Sequence, residues 1–423
     1  MNMRANVSRR GFLGAAAAAG VGGLLGPGAI RLRAAAPGKV GETKHFHYRL
    51  APAGPYIDSQ RDNLAFGFGE GKISLSEDCG GSWARSTPFP DAENITFSCF
   101  LKNGNIIFAT REKLFLSNDG LKTFHPITVK DRQGKDYVPH TPKDPNLPGW
   151  YFHPLDGMHT WEIDGREILV WGNYCNVQGG PVPVNIFYST DGGETVKIAY
   201  SFGRNPSFQE KGNKPESFLG EITTPVLARH VHNVAYNPAE GAFYACTGDI
   251  NRGYGNECHW LRGTYDAKAD TWTWKVLISV NSNSRYKSGG INFHDGQMYW
   301  AADANGPKPA NEKHDRGIFR CAPADFTDTS KHTKIFDAEF EMANMLLEDG
   351  VMFAGHCAPA STFATGIAYS PDLGKTWTEY DLAEFGPRSP TRFQSKNSDG
   401  WFRMDLRKGW IDRADVLFIK PKA

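Results

Sequence analysis

Apolar and polar positions alternate along this chain in short runs, the period-two pattern of half-buried strands. Beyond the N-terminus no long stretch repeats at the 3.6-residue period of a helix. Asn94–Phe100, Asn105–Thr110 and Lys113–Ser117 form one set of strand-like runs, and Met158–Ile163, Glu167–Tyr174 and Asn185–Ser189 a second. His230–Tyr236, Ala242–Thr247, Trp260–Tyr265 and Trp272–Ile278 make a third. Two further sets span Gly290 to Asp337 and Asn344 to Tyr380. The sets with four runs approach roughly 40 to 50 residues, the size of a four-stranded propeller blade, and the first two sets, with three runs each, are shorter. The leftover runs are His45–Leu50, Leu64–Gly69, Lys72–Ser76, Trp401–Leu406 and Ala414–Ile419, too many for one blade and few for two. The pattern therefore predicts an all-β fold, a single β-propeller of six blades with seven as the alternative. N- and C-terminal strands are expected to share one blade, which closes the ring and removes exposed edges. Two long segments, Lys130–Tyr151 and Phe202–Thr224, interrupt the rhythm and are candidates for walls around the central depression.

Four turns between these runs share one chemistry: Ser76-Glu-Asp78-Cys-Gly80-Gly-Ser82-Trp83, Ser117-Asn-Asp119-Gly-Leu121-Lys-Thr123-Phe124, Ser189-Thr-Asp191-Gly-Gly193-Glu-Thr195-Val196 and Ser370-Pro-Asp372-Leu-Gly374-Lys-Thr376-Trp377. Ser and Asp bond back to nearby backbone groups, Gly supplies a positive φ, and the last residue re-enters a packed strand. These residues resemble the Asp-box repeats of the sialidase-like β-propellers. The resemblance implies hairpin turns of a propeller, and in that superfamily the Asp box is a structural turn set away from the catalytic face.

Composition agrees with many short strands: 13% of residues are aromatic, with 11 Trp and 46 Gly. The N-terminus reads differently. Ser8-Arg9-Arg10-Gly11-Phe12-Leu13 precedes an Ala/Gly/Leu stretch to about Ile30 and a small-residue exit at Ala34-Ala35-Ala36. It resembles a twin-arginine export signal over residues 1–36, which leaves 37–423 as the propeller and places the protein in the periplasm or outside the cell. The stretch carries too few strongly apolar residues for a stable membrane span. Residues 1–36 hold five arginines (4, 9, 10, 31 and 33) and no acid, so the chain's formal +1 becomes −4 without them. That mild acidity argues against nucleic acid as a partner. An acidic substrate needs a few focused arginines instead. Seven cysteines (79, 99, 175, 246, 258, 321, 357) show no CxxC spacing, and the odd number leaves one thiol over. Cys258-His259 is a thin basis for bound zinc, so no zinc, calcium or other cofactor is expected.

Candidate chemistry gathers between the third and fourth copies of the turn. On a strand, Arg229-His230-Val231-His232-Asn233 puts His230 and His232 on one face. Innermost propeller strands line the central channel, where two imidazoles can move protons near neutral pH. Thr247-Gly248-Asp249 ends a strand of the same blade and is followed by Glu257, both carboxylates being candidate acids or orienting groups. In the next blade Arg285-Tyr286 precedes a strand and Tyr299-Trp-Ala-Ala-Asp303 ends one. The stretch from Arg229 to Arg320 is similar to uncharacterised sialidase-like bacterial proteins. That likeness implies a carbohydrate-active enzyme cleaving an acidic glycan, with a sialidase-like glycoside hydrolase as the first reading. His230, His232, Asp249, Glu257 and Tyr286 are then the catalytic candidates. Arg229, Arg285, Arg320, Asp303, Tyr174 and His159 are the substrate-binding ones. The Arg-Ile-Pro motif of hydrolytic sialidases has no counterpart where the mature chain begins, His45-Phe-His-Tyr-Arg49-Leu-Ala-Pro52. A second reading is a polysaccharide lyase, in which His, Tyr and Arg take the C5 proton of a uronate and neutralise its carboxylate. A third is a non-catalytic propeller that binds a glycan or protein partner.

Overall fold

The fold was described from a computed structural model, covering residues 29–32, 38–52, 54–138, 151–155, 158–174, 183–203, 224, 226, 228–248, 258–280, 284–304, 315–339, 341–357, 366–385, 389–407 and 415–422. Seven sheets of four antiparallel strands follow one another along the chain, three of them widened by a short fifth strand. The inner strands of blades 1 to 7 are Tyr56–Arg61, Ile95–Phe100, His159–Ile163, His230–Asn237, Ser288–His294, Glu341–Glu348 and Ser389–Gln394. No α-helix occurs among the described residues.

Seven blades correct the expected six. Leu64–Gly69 and Lys72–Ser76 belong to blade 1, whereas Phe402–Arg407 and Asp415–Pro421 belong to blade 7, which is completed by Phe46–Leu50 from the N-terminal side. Closure by strands from both ends is therefore as expected. What hid two blades was the polarity of their inner strands, Tyr-Ile-Asp-Ser-Gln-Arg and Ser-Pro-Thr-Arg-Phe-Gln. Their charges neutralise one another inside the protein. Arg392 Nη1 donates to Asp58 Oδ1 at 3.1 Å, and its Nη2 lies 2.8 Å from Asp405 Oδ2. Arg403 donates to Asp405 Oδ1 at 2.7 Å and to the Ile57 and Asp58 carbonyls, also at 2.7 Å. All four ionic side chains are buried. This clasp joins blade 7 to blade 1.

Six of the seven inner strands share a further irregularity. Pairing with the second strand skips one residue, at Asp58, Thr96, His232, Gly289, Ala343 and Arg392. A bulge of this kind bends the strand and re-aims one residue. Arg392 adopts φ 43 there. Side chains beyond the bulges stitch neighbouring blades together. Asn233 accepts from Ile291 N at 3.1 Å, Asn292 from Leu347 N at 3.1 Å, and Gln394 from Gln60 N at 3.0 Å. Aromatic rings fill the space between sheets, as with Trp260, Trp300 and Phe326 between blades 4 and 5. Each such ring buries roughly 150–250 Å², worth about 4 to 6 kcal/mol before conformational entropy is charged against it.

The four Ser-x-Asp turns share one hydrogen-bond set. In blade 1, Ser76 donates to Asp78 at 2.7 Å and accepts from Gly80 N at 2.7 Å, while Ser82 donates through N and Oγ to the same carboxylate. Each turn places two successive residues in the left-handed region: Cys79–Gly80, Gly120–Leu121, Gly192–Gly193 and Leu373–Gly374. Leu121 stands where Gly is expected, at φ 65, and its buried side chain offsets the strain. Because strands within a blade are antiparallel, these third-to-fourth turns share a face with the tight first-to-second turns. Second-to-third and blade-to-blade connections reach the opposite face, where the inner strands begin.

Ile30–Arg31 pairs in parallel with Tyr380–Asp381, and Leu32 is buried against blade 6, so part of the expected export signal packs on the propeller.

Candidate functional site

Blade 4 opens its inner strand with His230, and both His230 and His232 are buried. Glycines let the surroundings close on them. A Cβ at Gly172, in blade 3, would stand 2.3 Å from the Val231 side chain. Its absence lets blade 3 approach, with Val231 N donating to Asn173 O at 3.0 Å. Tyr174, next along that chain, then stacks on His230, ring centroids 3.9 Å apart and planes 20° from parallel. In blade 4 itself a Cβ at Gly248 would stand 2.6 Å from His232 Nε2, so that ring lies directly across the glycine.

The two imidazoles meet through their Nε2 atoms at 3.1 Å. His232 Nδ1 lies 3.1 Å from the carbonyl oxygen of Ser288. A carbonyl only accepts, so Nδ1 of His232 carries hydrogen. In the neutral ring its Nε2 is then the acceptor, and His230 donates Nε2–H to it. His230 Nδ1 is left with the lone pair. Asp303 Oδ2 lies 3.9 Å from His232 Nδ1. Lys287 anchors that carboxylate, Nζ to Oδ2 at 2.9 Å, and Asp303 N donates to Lys287 O at 2.7 Å. Lys287 and Asp303 are both buried.

The structure thus brings together His230, His232, Tyr174 and Asp303 of the expected set. Arg229 is half-buried at the start of the same strand. His159, half-buried at the head of blade 3's inner strand, lines an axial cavity of about 260 Å³ with Asn233, Asn292 and Asn344. Asp249 and Glu257 lie outside the described residues. Three expectations are not met. Tyr286 points into the core between blades 4 and 5, where its hydroxyl donates to Phe326 O at 3.0 Å and burial pushes its pKa up to about 12, the wrong direction for a nucleophile. Arg285 pairs with Asp315 at 2.8 Å and lies over the Phe319 ring. Arg320 sits on the third strand of blade 5, across from Tyr299 and Thr333 and away from the channel.

Other histidines have local duties. His153 Nδ1 faces Thr96 O at 3.1 Å, and His259 Nδ1 faces Ser279 Oγ at 2.8 Å. Cys258 and His259, adjacent on one strand, point to opposite faces and do not form a joint ligand pair. Among the described residues there is no group of three or more His, Cys, Asp or Glu side chains arranged to hold a metal. Cys79, Cys99, Cys246, Cys258 and Cys321 are buried free thiols. Lys287 is the cluster member that sequence reasoning missed. Its signal was a cation directly before the Ser-Gly-Gly that opens an inner strand.

The class these features define is a seven-bladed β-propeller with a polar cluster at the heads of two inner strands. No protein-family model matches the chain, and no curated protein matches it. Solved structures do resemble it in fold. The extracellular domains of two hybrid two-component systems from B. thetaiotaomicron align with TM-scores of 0.48 at 13% and 12% identity, over 89% and 86% of this chain. The chain spans only 41% and 40% of the length of those two structures. An α-L-arabinanase of Penicillium chrysogenum complexed with arabinobiose aligns with a TM-score of 0.43 at 12% identity, covering 78% of this chain and 94% of that one.

Proposed function

We propose that the chain is an exported carbohydrate-active enzyme that cleaves an acidic glycan by β-elimination at a uronate. The observation that carries this reading is the hydrogen-bonded His230–His232 pair beneath Tyr174. Elimination requires a base to take the proton α to the carboxylate at C5. Electrons then flow through the enolate-like carboxylate to expel the C4 oxygen, which leaves with a proton. His230 Nδ1 is the basic atom of the pair, and the positive charge it gains is spread to His232 and balanced by Asp303. Tyr174, held against the imidazole, is the candidate acid for the leaving oxygen, and Arg229 the candidate partner of the substrate carboxylate.

Hydrolysis of a sialidase-like kind is the second reading; it rests on the likeness of the Arg229–Arg320 stretch to sialidase-like proteins and not on the Ser-x-Asp turns, which are structural. A sialidase-like mechanism uses a tyrosine nucleophile activated by a carboxylate, together with an acid carboxyl, in place of the usual carboxylate pair. Asp249, Glu257 and Asp303 are the candidate carboxyls for it. Export by the twin-arginine route, and hence a periplasmic or secreted location, belongs to the same proposal and rests on Arg9-Arg10 and the apolar stretch behind them.

Incubation with uronate polysaccharides separates the readings. Elimination gives a conjugated, ultraviolet-absorbing product, whereas new reducing ends without that absorbance would replace elimination by hydrolysis. No product, with glycan binding retained, would make the protein a binding module. His230→Ala is expected to lower turnover about 10²- to 10⁴-fold with circular dichroism unchanged. Full activity in that variant would remove the pair from the mechanism.

A further inference from the structure

A second, larger cavity opens between blades 7 and 1, far round the ring from the His pair. Its volume is about 820 Å³, within the range of sites that hold an oligosaccharide-sized ligand. The floor is aromatic. Trp83, at the end of the first Ser-x-Asp turn, packs closely on blade 1 because Gly67 has no side chain: a Cβ there would stand 2.2 Å from the indole. Tyr56 is 40% exposed beside it, its ring 6.1 Å from that of Phe68. Among the described lining residues the rim is acidic: Glu70, Glu93 and Asp415 are exposed around it, with Lys72 as the cation. Glu93 Oε1 also accepts from Glu70 N at 3.0 Å, which fixes where that rim carboxylate sits.

Flat aromatic faces suit the C–H faces of pyranose rings, and carboxylates accept from neighbouring sugar hydroxyls. Among the described lining residues acids outnumber cations three to one, which disfavours a uronate. We infer that this groove is an accessory subsite for a neutral oligosaccharide. Its ligand chemistry is the opposite of that proposed for the channel, and the inference stands on the groove's own residues whether or not the channel performs elimination. A chain of mixed composition would present neutral units here and its acidic units to the His pair.

Calorimetric titration of the His230→Ala protein keeps the two sites apart, because turnover in the channel then contributes nothing. The probes are cellohexaose, xylohexaose and an oligogalacturonate. Saturable binding of at least one neutral hexaose is expected, accompanied by a change in tryptophan emission. Tyr56→Ala should weaken it about tenfold or more, and Glu93→Gln severalfold. Both positions are exposed, so neither variant threatens the fold. The inference is overturned if neither neutral hexaose binds, if Tyr56→Ala binds as tightly as the parent, or if the oligogalacturonate binds better than both and loses affinity in Tyr56→Ala.

Discussion

Arg392→Met removes one cation from a buried group of four charges, and the structure allows its cost to be worked out. Arg392 faces two carboxylates, Asp58 at 3.1 Å and Asp405 at 2.8 Å. Asp405 keeps Arg403 at 2.7 Å, but Asp58 is left with the Ser98 hydroxyl at 2.6 Å and no neutralising guanidinium. A buried carboxylate stripped of its partner costs about 3 to 5 kcal/mol, a large share of the roughly 5 to 15 kcal/mol that separates folded from unfolded states. With a urea dependence of about 3 kcal/mol per molar, the unfolding midpoint falls by about 1 to 1.7 M. The double variant Arg392→Met, Asp58→Asn no longer holds the uncompensated charge and should recover at least about 1.5 kcal/mol of the loss. Urea unfolding followed by tryptophan emission measures both. A loss below about 1 kcal/mol in the single variant, or a double variant no more stable than the single, would show that the clasp does not close the ring.

Two shorter predictions concern the site and the turns. Gly248→Ala inserts a methyl 2.6 Å from His232 Nε2, which forces the ring off its contact with His230. Turnover should fall on the order of 10²-fold with circular dichroism preserved, and an unchanged kcat/KM would mean that the pair's geometry does not matter. The Thr123 backbone N–H, helped by the Thr123 and Ser117 hydroxyls, holds the Asp119 carboxyl down to about 2. A folded value below the unfolded one of about 3.9 means that its stabilisation is full above that pH and lost as pH falls through about 2. Asp119→Asn should therefore flatten the thermal midpoint between about pH 4 and pH 2. If the slope there stays as steep, the turn adds nothing to acid sensitivity.

Five blades were legible because their strands alternate cleanly and end in turn residues. The missing strands were the inner ones of blades 1 and 7 and the outer strands of blades 1, 2 and 3, Arg85–Pro88, His125–Pro126 and Val196–Ser201. Asp58, Arg392 and Gln394 read as loop residues, and only their partners, hundreds of positions away along the chain, show that they are buried. The site divided along similar lines. His230 and His232 were read as neighbours from period two within one strand, and the structure brings them together although a bulge at His232 breaks strict alternation there. Tyr286 and Lys287 precede a strand, where no period says which residue faces the channel. The sequence reading chose Tyr286, and the structure sends the tyrosine into the inter-blade core and the lysine to Asp303. Arg285 and Arg320 fit an anion clamp by residue type alone; Asp315 and the third-strand position remove them.

A buried histidine on an inner strand has an ordinary explanation here, since polar side chains on these strands routinely stitch one blade to the next. Asn233, Asn292 and Gln394 each accept from a backbone N–H of the following blade, a bond that leaves no proton to move. His232 makes such a stitch with one nitrogen, at Ser288 O. Its other nitrogen meets a second imidazole, and that contact links no two blades, because both rings belong to one strand. An asparagine at either position would satisfy the same geometry with less risk of burying a charge. What a pair of imidazoles adds is the capacity to take up and release a proton, with Asp303 and Lys287 setting the local charge and Tyr174 covering the ring. Ring closure is handled by the clasp between blades 7 and 1, and the Ser-x-Asp turns order the opposite face. The proposed elimination therefore rests on the His pair and not on the contacts that hold the propeller together.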